Sequence, residues 1–401
     1  MRYHRSLALF FCLCVCTYAL ALAAAQYRYA LFSRFIDDET HFLEAARSFG
    51  SGISMDALKN YGEISGPLPF ALCGTWGRVF GFGVLSMRLY SLAVALAALV
   101  LLHRLFFLAL PQKKLAAWAA WFVAINPYML ALSALIYTDV PALLLLLLGA
   151  LALEANQPVR LGLFTACALL CRHYMAFFPL AVVTVYLARY FLEDNHQRLF
   201  MAMAAGASFL PLAFLMVLWK GAAPPSAAWR YMSSEAFFFH PPFLILYVAL
   251  LFLYVFPFSV LALRRAWKTW KIVTALVLSF SYFLYPVAPA ALVAHTGAEP
   301  TGFVYRLAQW VSPGRIGLHA VFYLAFALGL IMLVDMVHDF VKRIKNHALD
   351  RTWFYETVVL TFLVLMPFSY MCWEKYFLPV LPFALLLILI RRDAYSRIAG
   401  L

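Results

Sequence analysis

Apolar residues run along this chain in long unbroken blocks, with polar and charged positions gathered between them. Val140 to Leu153 contains no polar side chain, and many other blocks are long enough to cross about 30 Å of hydrocarbon. A soluble helix keeps a polar face, and a strand of a transmembrane barrel alternates apolar and polar residues. Neither pattern is present, so the blocks predict an all-α polytopic membrane protein of about twelve transmembrane helices. They fall at 6–25, 84–103, 115–134, 140–155, 161–171, 174–190, 199–219, 243–263, 272–294, 318–340, 355–371 and 376–390.

Composition agrees: 65% of the 401 residues are hydrophobic and 12% charged. The net charge of +13 would suit a nucleic-acid partner if it were concentrated in a domain. It is spread instead as short clusters beside the apolar blocks, which points to membrane topology and anionic headgroups. Placing the N-terminus in the cytoplasm puts Pro111 to Lys114, Arg264 to Lys271, Val341 to Lys345 and Arg391-Arg392 on one side, the cytoplasm by the positive-inside rule. Residues 2–26, with Arg2 and Arg5 before an apolar run and Ala23-Ala24-Ala25-Gln26 after it, fit either an uncleaved anchor, which we favour, or a cleaved signal. Both deliver the following loop to the outer face. The seven cysteines show no disulfide or metal spacing.

The whole chain, 1–401, reads as one membrane domain without repeats, and its largest extramembrane segment is the first outer loop, 26–83. That loop carries Asp37-Asp38-Glu39, three consecutive carboxylates in a chain with only 18 Asp and Glu. In a helix, Asp38, His41 and Ala45 share one face while Glu39 and Phe42 belong to the next. Asp37 as a helix cap, with Asp38 and Glu39 complementing the helix dipole, is the structural alternative. The other acid at an outer helix start is Asp139, in Tyr137-Thr138-Asp139-Val140-Pro141; it is either a site residue or a cap for the next span. Arg172 and His173 interrupt an apolar stretch at an outer turn, where Arg172 needs an anion: a lipid phosphate, or a loop acid such as Asp139. Lys375 and Tyr376 precede the last span and serve either a donor or an interfacial anchor. Snorkelling to the interface accounts for Arg88 without a ligand. Asp335 and Asp339 are expected as paired interface residues near Lys342 and Arg343.

The acidic pair and aromatic helix are followed by Gly66-Pro67-Leu68-Pro69-Phe70, then an amphipathic piece through Trp76 and Phe80, then Arg88-Leu89 at the start of the second span. This order resembles the GT-C superfamily of integral-membrane glycosyltransferases, in the protein O-mannosyltransferase and aminoarabinose transferase branch. The resemblance covers Ile36 to about Ala98 and is looser beyond. It implies a GT-C fold and transfer of a sugar from a polyprenyl- or dolichyl-phosphate donor to a lipid, glycan or protein acceptor on the outer face, usually with inversion. It makes Asp38 the base, Glu39 a helper that orients the acceptor or the base, and Asp139 a nearby acid. His41, Arg88, Arg172, His173, Lys375 and Tyr376 are its donor-phosphate or substrate candidates. No metal and no other cofactor is required, because a lipid phosphate is already a competent leaving group. Two departures stand out: Ser65 or Gly66 occupies a position that is often Lys in the aminoarabinose branch, and His41 stands where Arg is usual. The compact chain leans toward a bacterial inner membrane over the endoplasmic reticulum. A transporter or flippase for a lipid-linked or anionic substrate is the alternative, although no matching inverted halves are visible.

Overall fold

A computed structural model describes residues 2–36, 38–228, 238–287, 302–312, 314–369 and 371–398. Asp37, the cap candidate above, falls outside the described residues. The described residues are helical, with no strand among them. Contacts divide the chain into two compact units, one of residues 1–183 and 197–232, the other of residues 184–196 and 233–401.

The first unit contains α1 (Arg2–Tyr29), α2 (Glu39–Ser48), α3 (Met55–Asn60), α4 (Leu68–Phe80), α5 (Val84–Ala109), α6 (Lys113–Ala124), α7 (Pro127–Leu132), α8 (Asp139–Glu154), α9 (Pro158–Cys171), the first turns of α10 (Phe177–Glu193), α11 (His196–Ala207) and α12 (Leu210–Trp219). Five stretches are long and apolar enough to cross a membrane: Tyr3–Tyr29, Val84–Ala109, His173–Glu193, His196–Trp219 and Ile316–Lys345. Several expected spans are shorter or broken. The block 115–134 is two helices, because Pro127 has no amide hydrogen to continue α6 and Asn126 caps the new helix by accepting from the Tyr128 amide at 3.0 Å. The block 243–263 divides into Pro241–Leu253 and Ser259–Ala266 around Pro257. Apolar composition extends across these breaks, so hydropathy alone does not register them.

The first outer loop is a small folded layer rather than a connection. Phe42, Leu43, Ala45 and Ala46 of α2 are buried against Phe70, Ala71 and Cys73 of α4, Met87 and Tyr90 of α5, and Trp219 at the end of α12. Two glycines permit this packing. A Cβ at Gly74 would stand 2.4 Å from the Ala46 carbonyl oxygen, so α4 meets α2 at backbone distance. A Cβ at Gly66 would stand 2.0 Å from the Leu170 carbonyl oxygen, where the approach to α4 crosses the end of α9. The Gly-Pro-Leu element thus has a packing reason as well as a turn reason.

In the second unit, Arg315–Lys345 packs against Pro241–Leu253 and Thr269–Ser279, and Arg351–Leu365 against Leu381–Ile398. Asp335 and Asp339 are indeed paired, but with Lys271, Arg265 and Arg391 rather than with Lys342 and Arg343 of their own helix.

Candidate active site

The first unit gathers Asp38, Glu39, His41 and Arg88 around the start of α2, and adds two residues that sequence reasoning did not select as partners, Glu63 and Tyr137. Glu39 is the first residue of α2 and has no exposed surface. Its Oε1 accepts from the Ile136 amide at 2.8 Å and its Oε2 from the Ile36 amide at 2.8 Å, while the Arg88 guanidinium bonds both oxygens. Arg88 spends its remaining N–H groups on the carbonyls of Leu31 at 2.9 Å, Ala134 at 3.0 Å and Arg34 at 3.0 Å. All the guanidinium donors are therefore used. Snorkelling is not what Arg88 does: it is entirely buried, and it ties the end of the first span, the start of α2 and the turn before α8 into one joint. A carboxylate so committed has no free oxygen for an acceptor, and Glu39 serves this joint instead.

Asp38 stands at the entry to α2 and is half exposed, with its side chain free of the usual cap bond to the helix. One oxygen lies 3.3 Å from His41 Nε2 and the other accepts from the Tyr137 hydroxyl at 3.3 Å. His41 Nδ1 lies 2.6 Å from the buried Glu63 carboxylate. Carboxylates accept only, so both imidazole nitrogens carry hydrogen and the ring is an imidazolium. The bonds from Asp38 and Glu63 push the His41 pKa up from 6.5 to about 9, outweighing a partial burial that acts the other way. His41 faces carboxylates on both nitrogens, which leaves Asp38 as the exposed end of a Glu63–His41–Asp38 row.

A second cluster lies just beyond Tyr137. Thr138 occupies the cap position of α8, and Asp139, its first residue, is fully buried. It accepts from Arg172 at 2.9 Å and from the Tyr174 hydroxyl at 2.8 Å. Of the two anions considered for Arg172, the protein's own Asp139 makes an ion pair with it. The His173 ring lies 6.4 Å from that of Trp219, at the edge of the aromatic layer beneath α2.

Lys375 and Tyr376 belong to the second unit. Both are buried, and the Lys375 ammonium lies 5.1 Å from the centre of the Trp373 ring and 5.8 Å from that of Tyr376. Their neighbour Glu374, which carried no signal in the sequence, is fully buried and accepts from the Tyr254 hydroxyl at 2.6 Å and the amides of Val304 and Tyr305 at 2.9 and 2.8 Å. It closes the N-terminus of helix Phe303–Val311.

An apolar cavity of about 310 Å³ opens in the first unit between α3, α4, α9 and α12. Phe49, Leu58, Leu68, Leu170 and Phe214 are among its walls. Its lining is almost wholly hydrocarbon, so it suits an aliphatic chain better than a sugar.

No family model matches this chain, and no curated protein matches it. Among solved structures, the crystal structure of ArnT from Cupriavidus metallidurans in the apo state aligns over 98% of this chain and 79% of that one, at 13% identity and a TM-score of 0.42. The crystal structure of the same protein bound to undecaprenyl phosphate aligns over the same shares, at 14% identity and a TM-score of 0.43.

Proposed function

We propose that this protein is an integral-membrane glycosyltransferase of the GT-C type, moving a sugar from a polyprenyl-phosphate donor to a lipid, glycan or protein acceptor at the outer face, with Asp38 as base. The observation that carries the reading is the contrast between the two neighbouring acids. Glu39 is buried and saturated, whereas Asp38 is half exposed and bonded to His41 and Tyr137 on a packed layer. A carboxylate presented in this way is placed to take a proton.

In the proposed step an acceptor oxygen attacks the anomeric carbon and gives its proton to Asp38. The bond from that carbon to the phosphate oxygen breaks, and the lipid phosphate leaves with the bonding electrons. His41 and Tyr137 orient the base, and Glu39 with Arg88 holds the backbone from which it projects. The apolar cavity along α3, α4 and α9 would receive part of the donor's lipid chain. The order of acid pair, Gly-Pro-Leu and Arg-Leu supports the same family reading. No metal takes part in the step.

The test is transfer of labelled sugar from a polyprenyl-phosphate donor by the purified protein in vesicles, with and without a chelator. Transfer that survives chelation is the expected result. Movement of the intact lipid-linked sugar across the bilayer, with no new glycosidic bond, would replace this reading with that of a flippase.

A further inference from the structure

The basic clusters of the second unit build a site that sugar transfer does not use. A cavity of about 240 Å³ is bounded by Ser259–Ala266, Arg315–Lys345 and Leu381–Ile398, at helix ends that the charge pattern assigns to the cytoplasmic side. Arg264, Arg265, Arg391 and Arg392 line it with a single carboxylate, Asp335. Leu261, Met332 and Leu387 supply apolar wall.

The charges around it do not cancel. Asp335 pairs with Lys271 at 2.5 Å and Arg391 at 3.2 Å, and Asp339 pairs with Arg265. Glu356 pairs with Arg391 at 2.5 Å and Arg343 at 3.3 Å, and Arg343 reaches Asp350 at 2.7 Å. Lys271, Arg265, Arg391 and Arg343 thus balance Asp335, Asp339, Glu356 and Asp350. Arg264 and Arg392 are exposed and have no carboxylate partner among the described residues. Arg391 is buried, yet its Nε–H donates to nothing among the described residues.

We infer that this cavity binds an anionic phospholipid of the cytoplasmic leaflet, the phosphodiester between Arg264 and Arg392 and an acyl chain along the Leu261 and Met332 wall. A free phosphate would satisfy the arginines but leave the apolar wall uncovered. A zwitterionic lipid would cover the wall and bring a cation to a site that already has surplus positive charge. Basic pockets between helices at this face recognise anionic headgroups on the same physical grounds.

The experiment uses the full chain in nanodiscs of equimolar phosphatidylglycerol and phosphatidylcholine, with retained lipid read by native mass spectrometry. Phosphatidylglycerol should be retained over phosphatidylcholine by roughly tenfold or more, as two arginines at a membrane surface can supply. Arg264→Gln with Arg392→Gln should lose most of that preference. Lys342→Gln with Lys345→Gln, which removes equal charge from exposed positions outside the cavity, should keep it. Equal retention of the two lipids by the wild type, or equal loss in both variants, would overturn the site. Displacement of the lipid by millimolar inorganic phosphate would overturn the choice of lipid as ligand. The wild-type arm decides the lipid preference even if the arginine variant folds poorly.

Discussion

At the scale of the residue, the acidic triplet divides by solvent exposure. Glu39 and Arg88 form a buried pair whose value depends on both members, since removing one leaves an uncompensated charge in a dry site. Arg88→Met should destabilise the protein by about 3–5 kcal/mol, and adding Glu39→Leu should recover part of the loss. Thermal unfolding of the wild type, Arg88→Met and the double variant in detergent measures both effects, and a double variant no better than Arg88→Met would refute the pairing argument. His41 supplies a pH dependence. Its folded pKa of about 9 lies above the ordinary 6.5, so its stabilising contribution is complete below about 6.5 and is lost as pH rises through about 9. The same loss of the imidazolium frees Asp38, so transfer should fall on an alkaline limb near pH 9. Glu63→Gln should move that limb toward neutrality; an unmoved limb would separate Glu63 from His41. The Asp38–His41 contact was legible from their spacing of three residues along one helix face. Glu63 was not, because it comes to His41 from a separate part of the loop. Arg88 and Glu39 are 49 positions apart, and nothing in either residue's surroundings in the sequence announces the other.

At the scale of the element, the first outer loop works as a packed layer that fixes where Asp38 points. At Gly74, α4 meets α2 at backbone distance. Gly74→Ala must move α4 away from the Ala46 carbonyl, a shift that overpacking data place at about 1–3 kcal/mol. Gly221→Ala, where an added Cβ meets open space, is the control and should leave stability and transfer unchanged. Equal behaviour of the two variants would show that the α2–α4 approach does not matter. The sequence showed that this loop contained helices and marked the Gly66-Pro67-Leu68 entry to α4. It did not show the backbone approach to Leu170 that Gly66 permits, which depends on a helix a hundred residues downstream. Element boundaries inside the apolar blocks were also hidden. Asn126-Pro127 ends one helix and caps the next, yet both residues lie in a stretch whose average hydropathy reads as one span.

At the scale of the whole molecule, the chain is an all-helical, multi-pass membrane protein organised as two compact units. In the topology we propose from the basic connections, the acidic loop lies outside and the arginine-lined cavity at the cytoplasmic ends. An impermeant maleimide should therefore label Glu44→Cys in intact cells, whereas Lys345→Cys should label only after permeabilisation. The reverse pattern would invert the topology and remove the outer-face assignment. The first unit presents Asp38 as a half-exposed carboxylate bonded to His41 and Tyr137, and the central claim is that this carboxylate accepts the proton in sugar transfer. The most direct measurement is the turnover of polyprenyl-phosphate-linked sugar by Asp38→Asn against wild type, in proteins matched for expression and unfolding temperature. Loss of the base should lower turnover on the order of 10²–10⁴-fold while donor binding persists. Turnover within a factor of about two of wild type, well below the effect of a general base, would contradict the assignment of Asp38.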